Sequence, residues 1–272
     1  MKVSVIVPTY KDVNALELIL NALREQTYKN FEVIIAEDDD SQEVKDFVSS
    51  YESDYSVKHL THEDVGNRKA IIMNRALSHA QGEYIVFIDG DTIPFCTFIE
   101  SHVKLSQPHT VLCGRRVNLG AQVSDDLRSG VVSAKRLESR FFRSYFYITQ
   151  GETRHYEQGI RLAPNSFLHR FLSSLNHNIH ILGSNFSCFK DDIFAINGFD
   201  EDIVGGSKDD VDLEWRFMMS GCSLKSCKYC ANLFHLHHKR ASRKDEIAIA
   251  NEQMRLNREK RKYICSNGIE KL

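Results

Sequence analysis

The sequence predicts an α/β protein whose strands form a mostly parallel sheet, Rossmann-like, with helices on both sides. The first observation is the order of short apolar segments and helical segments, β-α-β-α-β-α-β, over residues 3–88. The second is that the strand segments are apolar on both faces, which is typical of a sheet covered on both sides. The third is an ordinary soluble composition over 272 residues, with 42% hydrophobic residues, enough for one large domain or two small ones.

Each element follows from its own local pattern. Alternating Val3, Val5 and Val7 before Pro8 predict the first strand. The later segments, in chain order, are a helix at 14–25, a strand at 31–36, a helix capped by Ser41, a strand at 57–60, a helix at 68–80 that Gly82 ends, and a strand at 84–88.

Three of these strands end in polar, mostly acidic groups, namely Pro8-Thr9-Tyr10, Glu37-Asp38 and Asp89-Gly90-Asp91. Because ligands of such sheets bind at the carboxyl ends of the strands, we expect these groups to share one crevice. Two carboxylates separated by one glycine repel each other, and a cation between them would cancel that repulsion. A polar turn that merely closes the strand is the alternative interpretation.

The segment 121–181 lacks strand alternation and predicts a helical insert. It is rich in basic and aromatic residues, among them Arg136, Arg140, Phe141, Phe142, Arg143, Tyr145, Phe146, Tyr147, Arg154, Arg161, Phe167, Arg170 and Phe171. Packing of the aromatics against the core is the favoured interpretation. A docking surface for an acceptor or for anionic lipid is the alternative, and the two can coexist on opposite faces.

The last third of the chain carries a second acidic group. A strand is predicted at 184–189, and Asp209, Asp210 and Asp212 begin a helix after the Gly205-Gly206 loop. Carboxylates there also favour the helix dipole, so simple capping is the alternative. The tail, 241–272, is rich in lysine and arginine and predicts a charged surface helix.

The composition argues against a nucleic-acid-binding protein, a signal peptide and a membrane-spanning segment. A formal net charge of −2 gives no steering toward nucleic acid, and no nucleic-acid partner is expected. The start MKVSVIVP lacks the apolar core of a signal peptide, and no apolar run approaches ~20 residues. Seven scattered cysteines suggest free thiols and hence a cytoplasmic protein.

One cysteine cluster comes near the spacing of zinc ligands. Cys222, Cys227 and Cys230 precede His235, and only one pair has the tight two-residue gap. Because small apolar residues beside a strand would give the same pattern, we favour packing over zinc binding.

The chain resembles the inverting glycosyltransferases of family 2, which have the GT-A fold, over residues 1–240. The segments that carry the resemblance are VSVIVPTY, EVIIAEDDDS, ALSHAQGEYIVFIDGDTIP with its DxD motif, GSNFSCFKDDIFAINGFDED, GGSKDDVDLEWRF and FHLHH. The late motifs look closest to bacterial polysaccharide-assembling enzymes and to β-galactosyl or N-acetylhexosaminyl transferases. We therefore expect a GT-A domain at 1–240, composed of a nucleotide-binding half (1–118), the helical insert (121–181) and an acceptor half (182–240), and then the tail 241–272.

The resemblance implies a UDP-sugar donor and a divalent cation, Mn²⁺ or alternatively Mg²⁺, that neutralises the leaving diphosphate. It implies Asp91 as the first metal ligand and Asp89 as a further one, with the ribose or a metal-bound water as the alternative contact of Asp89. His238 matches the late metal histidine, and His235 and His237 compete for that role.

The other nucleotide-binding positions that the resemblance implies are Pro8, Thr9, Tyr10, Asp38, Asn67, Arg68 and Gly90. The usual DDGS motif is altered here, so the uracil contact falls on Glu37 or Asp38, and we prefer Asp38. Arg68 matches a position that contacts the diphosphate, for which a guanidinium has suitable bidentate geometry. Gly90 would let the backbone approach the phosphates.

For catalysis, the resemblance implies Asp210 as the base that takes the proton of the acceptor hydroxyl. Asp209, where the family usually has glutamate, would hold a hydroxyl of the donor or acceptor, together with Ser184 and Asn185. The implied acceptor is a saccharide or a lipid-linked saccharide. Peripheral contact with the inner face of an anionic membrane is an expectation from the basic and aromatic insert.

Two other functions fit parts of the pattern. A sugar nucleotidyltransferase would need a glycine-rich basic loop after the first strand, and Pro8-Thr9-Tyr10-Lys11-Asp12 has no glycine. A non-catalytic module that binds a nucleotide, a carbohydrate or calcium could use the same acidic loops.

Overall fold

The computed structural model describes residues 1–64, 66, 68–149, 152–175, 178–203, 208–238 and 244–272. Within these residues the strands are β1 (Val3–Thr9), β2 (Phe31–Glu37), β3 (Ser56–Thr61), β4 (Tyr84–Ile88), β5 (Thr92–Pro94), β6 (Thr110–Cys113), β7 (Val117–Asn118), β8 (Asn185–Phe189), β9 (Ser223–Ser226) and β10 (Leu233–His235). The helices are α1 (Val13–Arg24), α2 (Gln42–Ser50), α3 (Lys69–His79), α4 (Phe98–Leu105), α5 (Ala121–Arg128), α6 (Ala134–Ser139), α7 (Tyr145–Ile148), α8 (Phe167–Ser174), α9 (Lys190–Ala195), α10 (Asp209–Met219) and α11 (Lys244–Glu259), with a 3-10 helix at Tyr156–Gly159.

The main sheet has seven strands in the order β3-β2-β1-β4-β8-β6-β9. Strands β3, β2, β1 and β4 run parallel, and β6 runs parallel to β9. Strand β8 is antiparallel to both of its neighbours, β4 and β6. The predicted mostly parallel α/β sheet is therefore confirmed, with one reversed strand in its middle.

A second sheet of three strands, β5-β10-β7, lies beside the main one. Strand β10 pairs antiparallel with β5, so that His235 lies opposite Thr92. This short pairing brings the late histidine segment to the end of β4.

Both faces of the main sheet are buried, as the sequence predicts. Neighbouring residues of β1 belong to different apolar clusters: Val5 packs with Leu16 and Ile19 of α1, whereas Ile6 packs with Ile72 and Leu77 of α3. At roughly 1.5–3 kcal/mol for each fully buried aliphatic side chain, these two clusters supply much of the stability of the sheet.

The role predicted for Gly82 is wrong. Helix α3 already ends at His79, and Ala80 caps it in an extended conformation. A Cβ on Gly82 would lie 2.5 Å from the backbone nitrogen of Ser4, so the missing side chain allows a close approach to β1 instead.

The insert is helical and displays its aromatic residues on two sides. Leu137, Phe141 and Ile148 are buried in a cluster that includes Phe234 of β10. Phe142, Tyr145, Phe146, Phe167 and Phe171 are exposed. The favoured packing interpretation therefore holds for only part of this set.

The tail is more than a surface helix. Asn257 of α11 donates a hydrogen bond to Asp200 at 3.0 Å, and the Asn197 amide donates to the carbonyl of Cys265 at 2.8 Å. The end of the chain is thereby held against residues 197–203. The prediction missed this because the amide anchors are single polar residues and the apolar contact of the tail, Ala250 and Met254 against Ile203, is small.

The cysteines near the predicted zinc spacing do not form a site. Cys222 packs on one face of the sheet, and Cys227 and Cys230 are buried on the other. In the part of the chain that the structure describes, none of the helices has the length and apolarity needed to cross a membrane.

Candidate active site

The carboxyl ends of β1, β2 and β4 meet at a cleft of about 550 Å³, as the sequence predicts. Its lining residues are Pro8, Thr9, Tyr10, Asp12, Asp38, Asp64, Gly66, Lys69, Asp89, Gly90, Asp91, Arg128, His238 and Glu246. Six of them are carboxylates, so a negatively charged ligand would need compensating positive charge in the cleft.

Asp91 forms a compact group with two histidines. Its Oδ2 lies 3.2 Å from Nε2 of His235 and 3.2 Å from Nε2 of His238. Its other oxygen, Oδ1, is buried and has no hydrogen-bond partner within the described residues. The backbone of β10 holds this arrangement, because the N–H of Leu236 donates to the carbonyl of Asp91 at 2.9 Å.

This group fits a divalent cation. Ligand atoms of Asp91, His235 and His238 all lie within 4.8 Å of one another. One carboxylate with a partnerless oxygen and two imidazoles form a set of oxygen and nitrogen donors of the kind that can hold a divalent metal ion. Among the three histidines that compete in the sequence, the described group contains His235 and His238 and does not contain His237.

Asp89 has different surroundings from Asp91. Its Oδ1 lies 2.9 Å from Nζ of Lys69, and its Oδ2 lies 3.7 Å from Nη1 of Arg116. Burial acts to raise the pKa of Asp89, but the charges of Lys69 and Arg116 outweigh burial and lower it. Asp89 is thus not part of the candidate metal group of Asp91, His235 and His238, and direct metal ligation by Asp89 stays a prediction.

Lys69 is the main residue that the sequence analysis missed. It is the first residue of α3, and Arg68 is the N-cap. Arg68 is exposed, and its backbone N–H donates to Oδ2 of Asp38 at 3.3 Å, whereas Lys69 lines the cleft. Nothing in the sequence distinguishes these two neighbours, since only the start of the helix decides which one points inward. The predicted nucleotide contact Asn67 lies outside the described residues.

At the end of β2, Glu37 and Asp38 have different positions relative to the cleft. Glu37 is buried beneath the cleft and lies 2.8 Å from Nε2 of His59. Asp38 lines the cleft, with Oδ1 at 2.6 Å from Nε2 of His62. The preference for Asp38 over Glu37 therefore agrees with their positions.

The end of β1 forms the neighbouring wall. Pro8, Thr9 and Tyr10 all line the cleft, and the Thr9 hydroxyl is buried without a hydrogen-bond partner within the described residues. A Cβ on Gly90 would lie 2.2 Å from the carbonyl oxygen of Pro8. Gly90 is therefore needed for the close approach of the two strand ends, a role that the sequence analysis gave to phosphate contact.

Arg128 is a second cation that the sequence analysis missed. It forms a bidentate pair with Asp12, at 2.7 and 2.8 Å, and both residues line the cleft. Because Asp12 caps α1 and Arg128 ends α5, this pair attaches the insert to the rim of the cleft.

Asp209 and Asp210 begin α10 and line a smaller pocket of about 150 Å³ that shares Lys69 and Asp89 with the main cleft. Burial raises the pKa of Asp209 to about 6, although Lys69 acts against this shift. Burial also raises the pKa of Asp210. Simple capping of the helix does not account for two carboxylates that face a pocket and have raised pKa values.

Two predicted sugar contacts lie in the core instead. Ser184 and Asn185 are fully buried and line neither pocket. The Asn185 amide donates to the carbonyls of Arg115 and Ala231 at 2.8 and 2.9 Å. Its role is therefore to satisfy backbone groups inside the sheet, and it has no free donor for a sugar.

Residues 4–191 match the protein family described as Glycosyl transferase family 2. The chain belongs to this family. Its predicted membership is thereby confirmed, and the DxD segment and the first two strands lie inside the matched range.

Two curated relatives of this family 2 chain come from Streptomyces and Escherichia coli. It is 26% identical to validoxylamine A glucosyltransferase of Streptomyces hygroscopicus subsp. jinggangensis over 221 residues, 80% of this chain and 51% of that protein. It is 31% identical to UDP-Glc:alpha-D-GlcNAc-diphosphoundecaprenol beta-1,3-glucosyltransferase WfgD of Escherichia coli over 103 residues, 38% of this chain and 40% of that protein. The chain thus spans about half the length, or less, of these relatives.

Solved structures support the GT-A fold. Mannosyltransferase PcManGT from Pyrobaculum calidifontis, in complex with GDP-Man and Mn²⁺, has a TM-score of 0.60 at 18% identity. The match covers 95% of this family 2 chain and 64% of the PcManGT chain. S. aureus TarS 1-349 in complex with UDP-GlcNAc has a TM-score of 0.55 at 17% identity. The match covers 92% of this chain and 64% of the TarS chain.

Proposed function

We propose that this chain transfers a hexosyl or N-acetylhexosaminyl group from a UDP-sugar to a hydroxyl of a saccharide or lipid-linked acceptor, with inversion, in bacterial surface polysaccharide synthesis. The observation that carries the proposal is the group of Asp91, His235 and His238 beside the acidic pocket of Asp209 and Asp210. A UDP-sugar appears in the name of the WfgD relative and in a TarS complex, which supports this donor class.

In this proposal Asp91, His235 and His238 hold Mn²⁺, with Mg²⁺ as the alternative. When bound, a divalent cation stabilises the negative charge that develops on the leaving diphosphate. Lys69 adds a fixed positive charge at the same place, because it lies between the cleft and the smaller pocket. Asp38 and the end of β1 would hold the nucleoside.

Asp210 then acts as the base for the acceptor hydroxyl. A base that removes a hydroxyl proton works best when its pKa is close to the ambient pH, and burial shifts the pKa of Asp210 in that direction. Asp209 would accept a hydrogen bond from a sugar hydroxyl, since its Oδ2 is buried with no partner within the described residues. A single displacement of this kind requires no covalent intermediate on the protein.

A screen of UDP-sugars for metal-dependent hydrolysis tests the proposal without knowledge of the acceptor. Release of UDP with one or a few UDP-sugars, dependent on Mn²⁺ and abolished by a chelator, is the expected result. GDP-mannose is the matched control, because the PcManGT complex contains it. Tight UDP binding with no turnover of any donor, alone or with saccharide acceptors, would instead favour the non-catalytic binding module.

We also propose that the acceptor is presented at the inner face of an anionic membrane. The cytoplasmic location and the division of the chain at residues 118, 181 and 240 remain predictions. The support for membrane contact comes from the insert, where apolar side chains face outward.

A further inference from the structure

We infer that the chain binds the surface of an anionic lipid bilayer through two exposed patches of its insert. The α7 patch consists of Phe142, Tyr145 and Phe146. The α8 patch consists of Phe167, Leu168, Phe171 and Leu175. This inference deepens the proposed function, on which it rests only for the idea that the acceptor is lipid-linked.

The α8 patch is an apolar helix face that points away from the protein. Phe167, Phe171 and Leu175 follow one another at four-residue spacing, which puts them on one side of the helix. The exposed fraction is 80% for Phe167 and 60% for Leu175, whereas His169 on the other side is buried. Ser166 caps the helix by accepting a hydrogen bond from the N–H of His169, so the helix is formed and its outer face is the apolar one.

The α7 patch likewise exposes large apolar side chains to solvent. Phe141 and Ile148 anchor this stretch in the core, whereas Phe146 is 82% exposed. Tyr145 packs edge-on against Tyr156, with ring centroids 4.9 Å apart. Phe142 and Phe146 touch neighbouring rings of the same stretch, yet both stay at least 70% exposed, so these contacts cover only a small part of each ring.

Seven large apolar side chains exposed within 34 residues are more than a soluble surface needs. Exposed apolar residues scattered singly are ordinary, but apolar faces grouped in this way mark an interaction surface. The question is which partner the surface fits.

Charge selects an anionic partner. The insert, residues 121–181, contains eight lysines and arginines and five carboxylates, in a chain whose formal net charge is −2. The arginines nearest the patches, Arg140, Arg143 and Arg170, are exposed. A second copy of the chain would place arginines against arginines, and a neutral partner would leave them without counter-charges.

A bilayer with anionic headgroups matches both properties. Aromatic and leucine side chains enter the boundary between headgroups and acyl chains, while arginines pair with lipid phosphates. Binding of this kind lies in the plane of the bilayer surface and is reversible. The chain would then rest on the surface where a lipid-linked acceptor is embedded.

Co-sedimentation with vesicles tests this inference. Wild type should bind vesicles of phosphatidylcholine and phosphatidylglycerol, bind pure phosphatidylcholine much more weakly, and lose binding as salt increases. The double variant Phe167→Ser/Phe171→Ser should reduce the partition coefficient at least ~10-fold, because two large apolar side chains no longer enter the bilayer. Arg143→Glu/Arg170→Glu should abolish the preference for phosphatidylglycerol.

Ile249→Ser is the matched control, because Ile249 is exposed to 59% but lies outside both patches. Equal binding to neutral and anionic vesicles, or unchanged binding of the double phenylalanine variant, would overturn the inference. A second contradicting result would come from sedimentation velocity without lipid. If wild type were a dimer and the double phenylalanine variant a monomer, the patches would pair two copies of the chain instead of binding a bilayer. UDP affinity measured on the same samples is independent of lipid, so loss of donor binding would count against the proposed function alone.

Discussion

The carboxylates of the Asp89-Gly90-Asp91 segment and the pair Asp209-Asp210 lie close together around Lys69, yet their surroundings differ. Asp89 faces two cationic side chains, and Asp91 faces two imidazoles. Asp209 and Asp210 are half-buried and line a small pocket, and burial is the largest influence on the pKa of each. A carboxylate beside cationic side chains, such as Asp89, stays ionised, whereas a carboxylate whose pKa is raised by burial can exchange protons. The first pair is therefore suited to binding and the second to proton transfer.

The strongest test of this comparison is Asp210→Asn, which preserves size and removes basicity. We expect near-normal UDP-sugar affinity and a transfer rate lower by ~10²–10⁴-fold, the range typical of a lost general base. Asp209→Asn is the matched control and should weaken the binding of one sugar substrate together with the rate. A wild-type transfer rate in Asp210→Asn would move the role of the base to Asp209 or to another carboxylate.

The first pair is tested by Asp91→Ala. Mn²⁺-dependent UDP affinity should fall by more than the ~10–100-fold that loss of an outer hydrogen-bond partner costs at a metal site. Calorimetric titration with and without Mn²⁺ measures this, and circular dichroism verifies that the domain stays folded. Asp89→Ala should retain more of the Mn²⁺ dependence, because Asp91 and both histidines remain. Unchanged affinity for UDP with Mn²⁺ in Asp91→Ala would rule out this site.

A third variant, Lys69→Met, removes the cation that the two pairs share. We expect UDP affinity to fall by ~10–100-fold, as for the loss of one hydrogen bond between charged groups. Arg68→Met is the matched control, because its side chain is exposed and does not line the cleft. The opposite order, with a larger loss in Arg68→Met, would restore the role that the family resemblance gave to Arg68.

The smallest expected effect is on the pH dependence of transfer. Because the base must be ionised, the rate should fall as pH decreases below the pKa of Asp210, which burial raises above the usual range. In Lys69→Met this acidic limb should move to higher pH, since Lys69 acts to lower the pKa of Asp210. Transfer rates of wild type and variant between roughly pH 4 and 8 measure this shift. If the acidic limb did not move, the group that titrates there would lie outside this pocket.

The sequence predicts the fold well where the pattern is local. The alternation of strands and helices over 3–88, the shared crevice and the Ser41 cap all follow from periodicity and strand-end residues. The direction of β8 does not, because an apolar strand buried on both faces has the same pattern whichever way it runs. Pairing partners roughly a hundred residues away decide its orientation.

Within the site, the sequence analysis placed the acidic residues better than the cations. Asp38, Asp91 and His238 lie where the motifs predict, since each follows directly from a strand end. Lys69 and Arg128 were missed because each sits on a helix whose rotation about its axis is fixed only by packing. Asn185 was misassigned because a buried amide that serves backbone carbonyls has the same sequence signature as one that faces a ligand.

The central position of β8 has a consequence for how the protein is made. Asn185 of β8 pairs with Ile88 of β4, so the two partners are 97 positions apart in the order of synthesis. A ribosome that adds roughly 5–20 residues per second needs roughly 5–20 s to cover that distance. During this time β4, whose five residues are all buried in the finished protein, presents an open apolar edge. We therefore expect the nascent chain to depend on chaperones most strongly while the insert is being translated.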